Sequence, residues 1–158
     1  MIFPGSESTT HTFAMKIRAA RSDDLDAIKA LLAENELPVV DVTDELLRDF
    51  VIAEDADGSV VGSVCVERFG RNALLRSLTV AKHARNRRLG GDLVAHAENL
   101  ARASGVGELW LLTTTAADFF SRAGYASVDR GTAPAELQAS TQFSQLCPAS
   151  AVCFKKAL

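Results

Sequence analysis

One stretch of the chain restricts its fold more than any other: LLRSLTVAKHARNRRLGGDLVAHAENLA, residues 74–101. It reads as an apolar strand, a basic loop, the pair Gly90-Gly91, then a helix whose apolar stripe is Leu93, Val94, Ala97, Leu100 and Ala101. That helix should stop near Ser104-Gly105, because glycine accepts the left-handed backbone that closes a helix, and residues 108–112 then return to strand. Two strands joined through a crossover helix run parallel.

The residues ahead of this unit have the opposite habit. Strands over 51–54, 60–69 and 73–80 are separated by turns at Asp57-Gly58 and Gly70-Arg71-Asn72, the pattern of an antiparallel meander. A short strand at 16–19 precedes them. Ser22, Asp23 and Asp24 then cap a helix carrying Leu25, Ile28, Leu31 and Leu32, and Thr43 caps a second with Leu46, Leu47 and Phe50 at helical spacing. Downstream, Thr114 or Thr115 caps a short helix through Phe119 and Phe120 that Gly124 closes. A strand over 125–130, a helix opened by Pro134 and a closing strand over 149–154 complete the chain. The expectation is an α/β fold: a mixed, mostly antiparallel sheet of six to seven strands covered by helices.

With 158 residues, 47% of them hydrophobic, the chain suits one domain with a sizeable core. Residues 1–14, rich in Ser and Thr without periodicity, are expected to be a flexible extension to a domain of residues 15–158. The net charge of -3 argues against a broadly basic nucleic-acid coat. No run approaches the ~20 apolar residues that cross a bilayer, and no leader pattern is evident, so a cytoplasmic protein without a membrane partner is expected. Cys65, Cys147 and Cys153 are odd in number and lack the paired short spacing of a zinc site; they read as reduced packing thiols, and no metal is expected.

The chemistry points back to the 74–101 stretch. Successive backbone N–H groups at a helix start, with the helix dipole behind them, form an anion site, and glycines let phosphate oxygens reach the main chain. Arg85, Arg87 and Arg88 add positive charge at its rim, an arrangement suited to a pyrophosphate. By itself the run HARNRR would serve equally as a solvated loop or a small nucleic-acid patch.

Here the sequence resembles the GCN5-related N-acetyltransferase (GNAT) superfamily, whose coenzyme signature is Arg or Gln, two residues, Gly, one residue, then Gly or Ala. Arg85 and Gly90 fill its ends, while Arg88 holds the inner glycine position and Asn86 follows the first arginine. A second element, Ala117-Asp118-Phe119-Phe120-Ser121-Arg122-Ala123-Gly124-Tyr125, resembles the superfamily's Ala-x-x-Phe-Tyr-x-x-x-Gly-Phe/Tyr pattern. The stretches ALLRSLTV, LLTTTAADFF and LCPASAV further resemble a subgroup named for arsenic-resistance operons.

The resemblance implies helices on both faces of the sheet and a V-shaped opening between the fourth and fifth strands that admits the pantetheine arm of acetyl-CoA. Main-chain groups of Leu78, Thr79 and Val80 would pair with the arm, one N–H polarising the thioester carbonyl. Arg85, Asn86, Arg87, Arg88, Leu89, Gly90 and Gly91 would hold the pyrophosphate, and Thr113, Phe119 and Phe120 would line the coenzyme. Thr113, Thr114 and Thr115 read equally well as turn and cap residues.

The implied reaction is direct attack by a small amine, an amino acid or its arsenic or phosphorus analogue among the acceptors, in a ternary complex. Glu67 is the first candidate for the base and His83 a weaker one. Arg76 is either an ion-pair partner of Glu67 or a clamp for an acceptor carboxylate. Phe120 stands where many relatives place a tyrosine acid, so either the thiol, with a pKa of about 8.5, would leave as thiolate or another group would donate the proton. A homodimer is common in the superfamily. The alternative class is a non-catalytic module that senses coenzyme A or captures trivalent arsenic through its cysteines.

Overall fold

The computed structural model describes residues 15–85, 88–146 and 148–158. The extension at residues 1–14, together with Asn86, Arg87 and Cys147, lies outside them.

Seven strands, β1 (Lys16–Ala19), β2 (Phe50–Glu54), β3 (Val60–Phe69), β4 (Asn72–Val80), β5 (Glu108–Thr113), β6 (Ala126–Val128) and β7 (Val152–Ala157), form one sheet in the order β1-β2-β3-β4-β5-β7-β6. Only β4 and β5 run parallel, and they are joined by the crossover helix α3 (Leu89–Ala103). The remaining α-helices are α1 (Leu25–Glu34), α2 (Asp44–Leu47), α4 (Ala117–Arg122) and α5 (Ala135–Gln138).

Alternation along the strands separates the sheet's two faces. Val64, Val66, Leu75, Leu109, Leu111 and Phe154 point into one core with Leu89, Leu93, Val94 and Ala97 of α3 and Phe120 of α4. The opposite face carries two smaller cores. Phe50, Ile52 and Cys65 pack with Ile28 and Leu32 of α1, while Leu74, Trp110 and Cys153 pack with Leu137 and Phe143. Helices therefore cover both faces, as expected.

A Cβ added to Gly62 on β3 would stand 3.0 Å from Leu93 Cδ1 and 3.3 Å from the Thr79 carbonyl oxygen. Glycine there lets α3 lie hard against the strands it connects. Among the described residues no helix is long and apolar enough to cross a membrane.

Local departures from the sequence reading have simple causes. Phe50 opens β2 instead of extending α2, because Arg48 already caps that helix and Phe50 pairs with Cys65. Thr43 caps α2 as expected, its hydroxyl accepting from the Leu46 N–H at 3.2 Å. The expected stripe of α3 contains Leu100, which is 44% exposed; Leu89, one turn ahead of Leu93, packs instead. The closing strand begins at Val152 because residues 148–151 are spent on a turn closed by the Ala151 N–H on the Pro148 carbonyl at 3.0 Å. The strand expected over 125–130 is only Ala126–Val128, since Asp129 caps a following 3-10 turn.

Candidate active site

The parallel pair is short. β4 and β5 meet only at Asn72–Glu108, Ala73–Leu109 and Leu74–Trp110; beyond Leu74 and Trp110 they are no longer partners. β4 continues to Val80 along β3, and β5 continues to Thr113 along β7. Two strands anchored at one end and drawn to different neighbours at the other leave a V-shaped opening. The opening holds a cleft of about 520 Å³ lined by Arg76, Ser77 and Leu78 of β4, Leu111 and Thr113 of β5, and Phe120 of α4, with Glu36 to Pro38 at its rim.

A bulge shapes the β4 wall. Ser63 pairs with Thr79 and Cys65 with Arg76, so Val64 alone faces both Ser77 and Leu78. Ser77 adopts a left-handed φ of 58°, and the fully buried Ser63 hydroxyl donates to its carbonyl at 2.8 Å. The described residues include three non-glycine left-handed residues, Glu36, Ser77 and Arg88. Glu36 and Ser77 line the cleft, and Arg88 caps α3.

The start of α3 leaves its first backbone N–H groups without an acceptor inside the helix. Arg88, the N-cap, lies at φ 58° and offers no side-chain cap; this is the turn that the family signature gives to glycine. Its carbonyl takes the Asp92 N–H at 3.0 Å, leaving the N–H groups of Leu89, Gly90 and Gly91 ahead of the first helical bond. Arg85 is pinned rather than free: Nε donates to the Val80 carbonyl at 3.1 Å and Nη2 to Asn35 Oδ1 at 2.5 Å. The expected ligands Asn86 and Arg87 fall outside the described residues.

Thr113 belongs to both the cleft and the turn. Its hydroxyl accepts from the Ala116 N–H at 3.0 Å, so Thr113, not Thr114 or Thr115, secures the entry to α4. A Cβ added to Gly90 would stand 3.6 Å from the Phe119 ring, and Phe120 packs edge-on against Phe119 and Tyr125 at centroid distances of 5.0 and 5.5 Å. Tyr125 is buried and donates to Glu98 Oε2 at 3.0 Å, an oxygen shared with Lys156 Nζ at 3.0 Å. Burial and the Glu98 charge push the Tyr125 phenol far above its usual range, so it stays protonated.

Arg76 is the buried cation of the cleft, its side chain 1% exposed. Nη1 and Nη2 grip both oxygens of Asp41, the second at 2.7 Å, and Nη1 reaches Glu67 Oε1 at 3.4 Å. The ion pair with Glu67 is therefore present, but Asp41, which the sequence reading passed over, is the stronger partner. Burial opposes the Arg76 charge, and the hydrogen bonds and charge of Asp41 outweigh it, so the guanidinium stays ionised. Glu67 is not among the residues lining the cleft, whereas Arg76, which its carboxylate contacts, is. Burial pushes the Glu67 carboxyl above its ordinary value against the pull of Arg76. His83, the weaker candidate, is exposed in the turn after β4.

Cys65 and Cys153 are buried in different cores, and burial raises both thiols. Each packs as a small apolar side chain, as expected.

Comparison with known proteins agrees with this geometry. The profile of the acetyltransferase (GNAT) domain matches residues 47–127. An uncharacterized N-acetyltransferase of Chlorobaculum tepidum is 36% identical over 87 residues, which is 54% of this chain and 55% of that protein, so the match spans about half the length of its curated relative. N-acetylglutamate synthase of Neisseria gonorrhoeae, solved with coenzyme A and N-acetyl-glutamate, superposes with a TM-score of 0.79 at 22% identity over 91% of this chain and 35% of that one. Rv2747 of Mycobacterium tuberculosis, solved with CoA and NLQ, gives a TM-score of 0.77 at 22% identity over 90% of this chain and 99% of that one.

Proposed function

Because the chain belongs to the acetyltransferase (GNAT) domain family, we propose that it transfers the acetyl group of acetyl-CoA to the amine of a small molecule within a ternary complex. The observation that carries this reading is the divergence of β4 and β5 beyond Leu74 and Trp110, which frees one edge of β4 beside a cleft that continues past Thr113 to Phe120. A pantetheine arm laid there would pair with Leu78, Thr79 and Val80 like an added strand. Its pyrophosphate would meet the N–H groups of Leu89, Gly90 and Gly91, with Arg85, Arg87 and Arg88 supplying charge.

In the proposed step the neutral amine attacks the thioester carbonyl, a main-chain N–H near Leu78 stabilises the oxyanion, and the carbon–sulfur bond breaks as the amide forms. Losing such a donor typically costs about 3 kcal/mol of barrier. Glu67 takes the amine proton through a water, since Arg76 lines the cleft and Glu67 does not. Its raised pKa suits a base working closer to neutrality. Phe119 and Phe120 form the coenzyme wall, and the thiolate leaves without a tyrosine donor. Burial keeps Cys65 and Cys153 protonated, which argues against either as an acyl carrier.

The acceptors to try first are amino acids and their phosphorus or arsenic analogues. The presence of N-acetyl-glutamate in the Neisseria structure and the resemblance of ALLRSLTV and LCPASAV to the arsenic-resistance subgroup favour them. Purified protein incubated with acetyl-CoA and an amine panel should release free thiol and N-acetylated product with at least one member. Tight coenzyme binding without turnover across the panel would support the sensor reading instead. An acetylated protein detected by mass spectrometry would refute the ternary complex.

A further inference from the structure

Arg76 carries five N–H hydrogens, and their partners are unequal. Asp41 accepts from both terminal nitrogens, Ser77 Oγ accepts from Nε at 3.3 Å, and Glu67 receives one long contact of 3.4 Å. A guanidinium facing two carboxylates forms its paired bonds with one of them. Here it has chosen the loop residue Asp41, between α1 and α2, over Glu67, its neighbour on the adjacent strand.

We propose that Asp41 is a positioning residue that occupies the paired hydrogen bonds of Arg76, leaving the Glu67 carboxylate with one long contact and able to accept a proton. This rests on the reading of Glu67 as the base. Were Asp41 neutral, Arg76 would turn its paired bonds to Glu67, and a carboxylate locked on a guanidinium is a poor base. Burial is the main influence favouring the protonated form of Glu67 and Arg76 opposes it; Asp41 and Asp49, the latter bound to Arg68 at 3.1 Å, add to the effect of burial. Leu74, directly across the ladder from Glu67, contributes no charge. Asp41 thus acts twice in the same direction, by occupying the cation and by its own negative charge.

The experiment is a carbon-detected NMR titration of the Glu67 carboxyl, assigned with Glu67→Gln, in the wild type, Asp41→Asn and Asp41→Ala. The Glu67 midpoint should fall by about one pH unit or more in both variants, the size of shift an unshared cation imposes on a carboxylate. Asp41→Glu, which restores the charge, should return it toward the wild-type value. The acid limb of kcat/KM should move by the same amount while acetyl-CoA affinity stays unchanged. A midpoint that stays or rises in the Asn and Ala variants overturns the proposal, whatever their stability. A midpoint that falls while Glu67→Gln turns over normally overturns the assignment of Glu67 as base, so the two failures are distinct.

Discussion

Replacing Gly90 with proline tests the proposed pyrophosphate site at the start of α3. Gly90 is the second residue of that helix, ahead of the first intrahelical bond, so its N–H serves no acceptor within the helix. Proline deletes this donor and fills the space before it. If the N–H binds a pyrophosphate oxygen, the loss is that of a hydrogen bond to a charged group, about 1.5–3 kcal/mol, or roughly a 10- to 150-fold weaker Kd for acetyl-CoA.

Proline also disfavours the helical conformation of Leu89, which is buried, so some stability should be lost as well. Gly90→Ala separates the two effects. Its Cβ would rest 3.6 Å from the Phe119 ring, an ordinary contact, and the N–H is kept. Alanine should stabilise the helix by up to about 1 kcal/mol, a rise in Tm of about 2–4 °C, and leave coenzyme affinity nearly unchanged. Calorimetric titration of the three proteins with acetyl-CoA decides the matter. Wild-type affinity in Gly90→Pro, or equal loss in Gly90→Ala, would refute the placement of the pyrophosphate.

Two further outcomes follow from buried charges. Glu67 must be ionised to act as base and its pKa is raised, so kcat/KM should rise with pH through a midpoint above the ordinary carboxylate value; Glu67→Gln should remove that limb and cost about 10²–10⁴ in rate. Tyr125→Phe removes the hydroxyl from Glu98 but leaves Lys156 as its partner, so urea denaturation should show a loss of about 1–2 kcal/mol, and an unchanged midpoint would mean the bond contributes nothing.

Much of the fold was legible because its signals are local. Asp57-Gly58, Ser104-Gly105 and Gly124 mark turns through backbone angles that glycine accepts without strain, and each of those glycines has the left-handed φ expected of it. The 74–101 stretch carried strand, turn and helix signals in one continuous run, so the parallel pair could be read without knowing its neighbours. Leu100 shows the limit: one turn from Ala97 it fits the apolar period, yet it lies outside the packed stripe, because which flank of a helix meets the sheet depends on the crossing of the two. Thr113 shows another, since any of three adjacent threonines could cap α4 and only the position of the end of β5 chooses among them.

The run proposed to hold the pyrophosphate, residues 85–91, could be named from the chain alone, because its residues are contiguous in sequence. Its inner glycine position shows the same locality, since Arg88 simply adopts the left-handed turn there. The sequence could name Glu67 and Arg76 as chemically apt, and their pairing follows from adjacent strands in register. The arrival of Asp41 from a loop 35 residues away along the chain, and the bulge that sets Ser77 and Leu78 against a single partner, were decided only in three dimensions. No local signal encodes which carboxylate a buried guanidinium will hold; that choice is made by the desolvation of the whole cleft, where an unpaired charge costs more than either pairing.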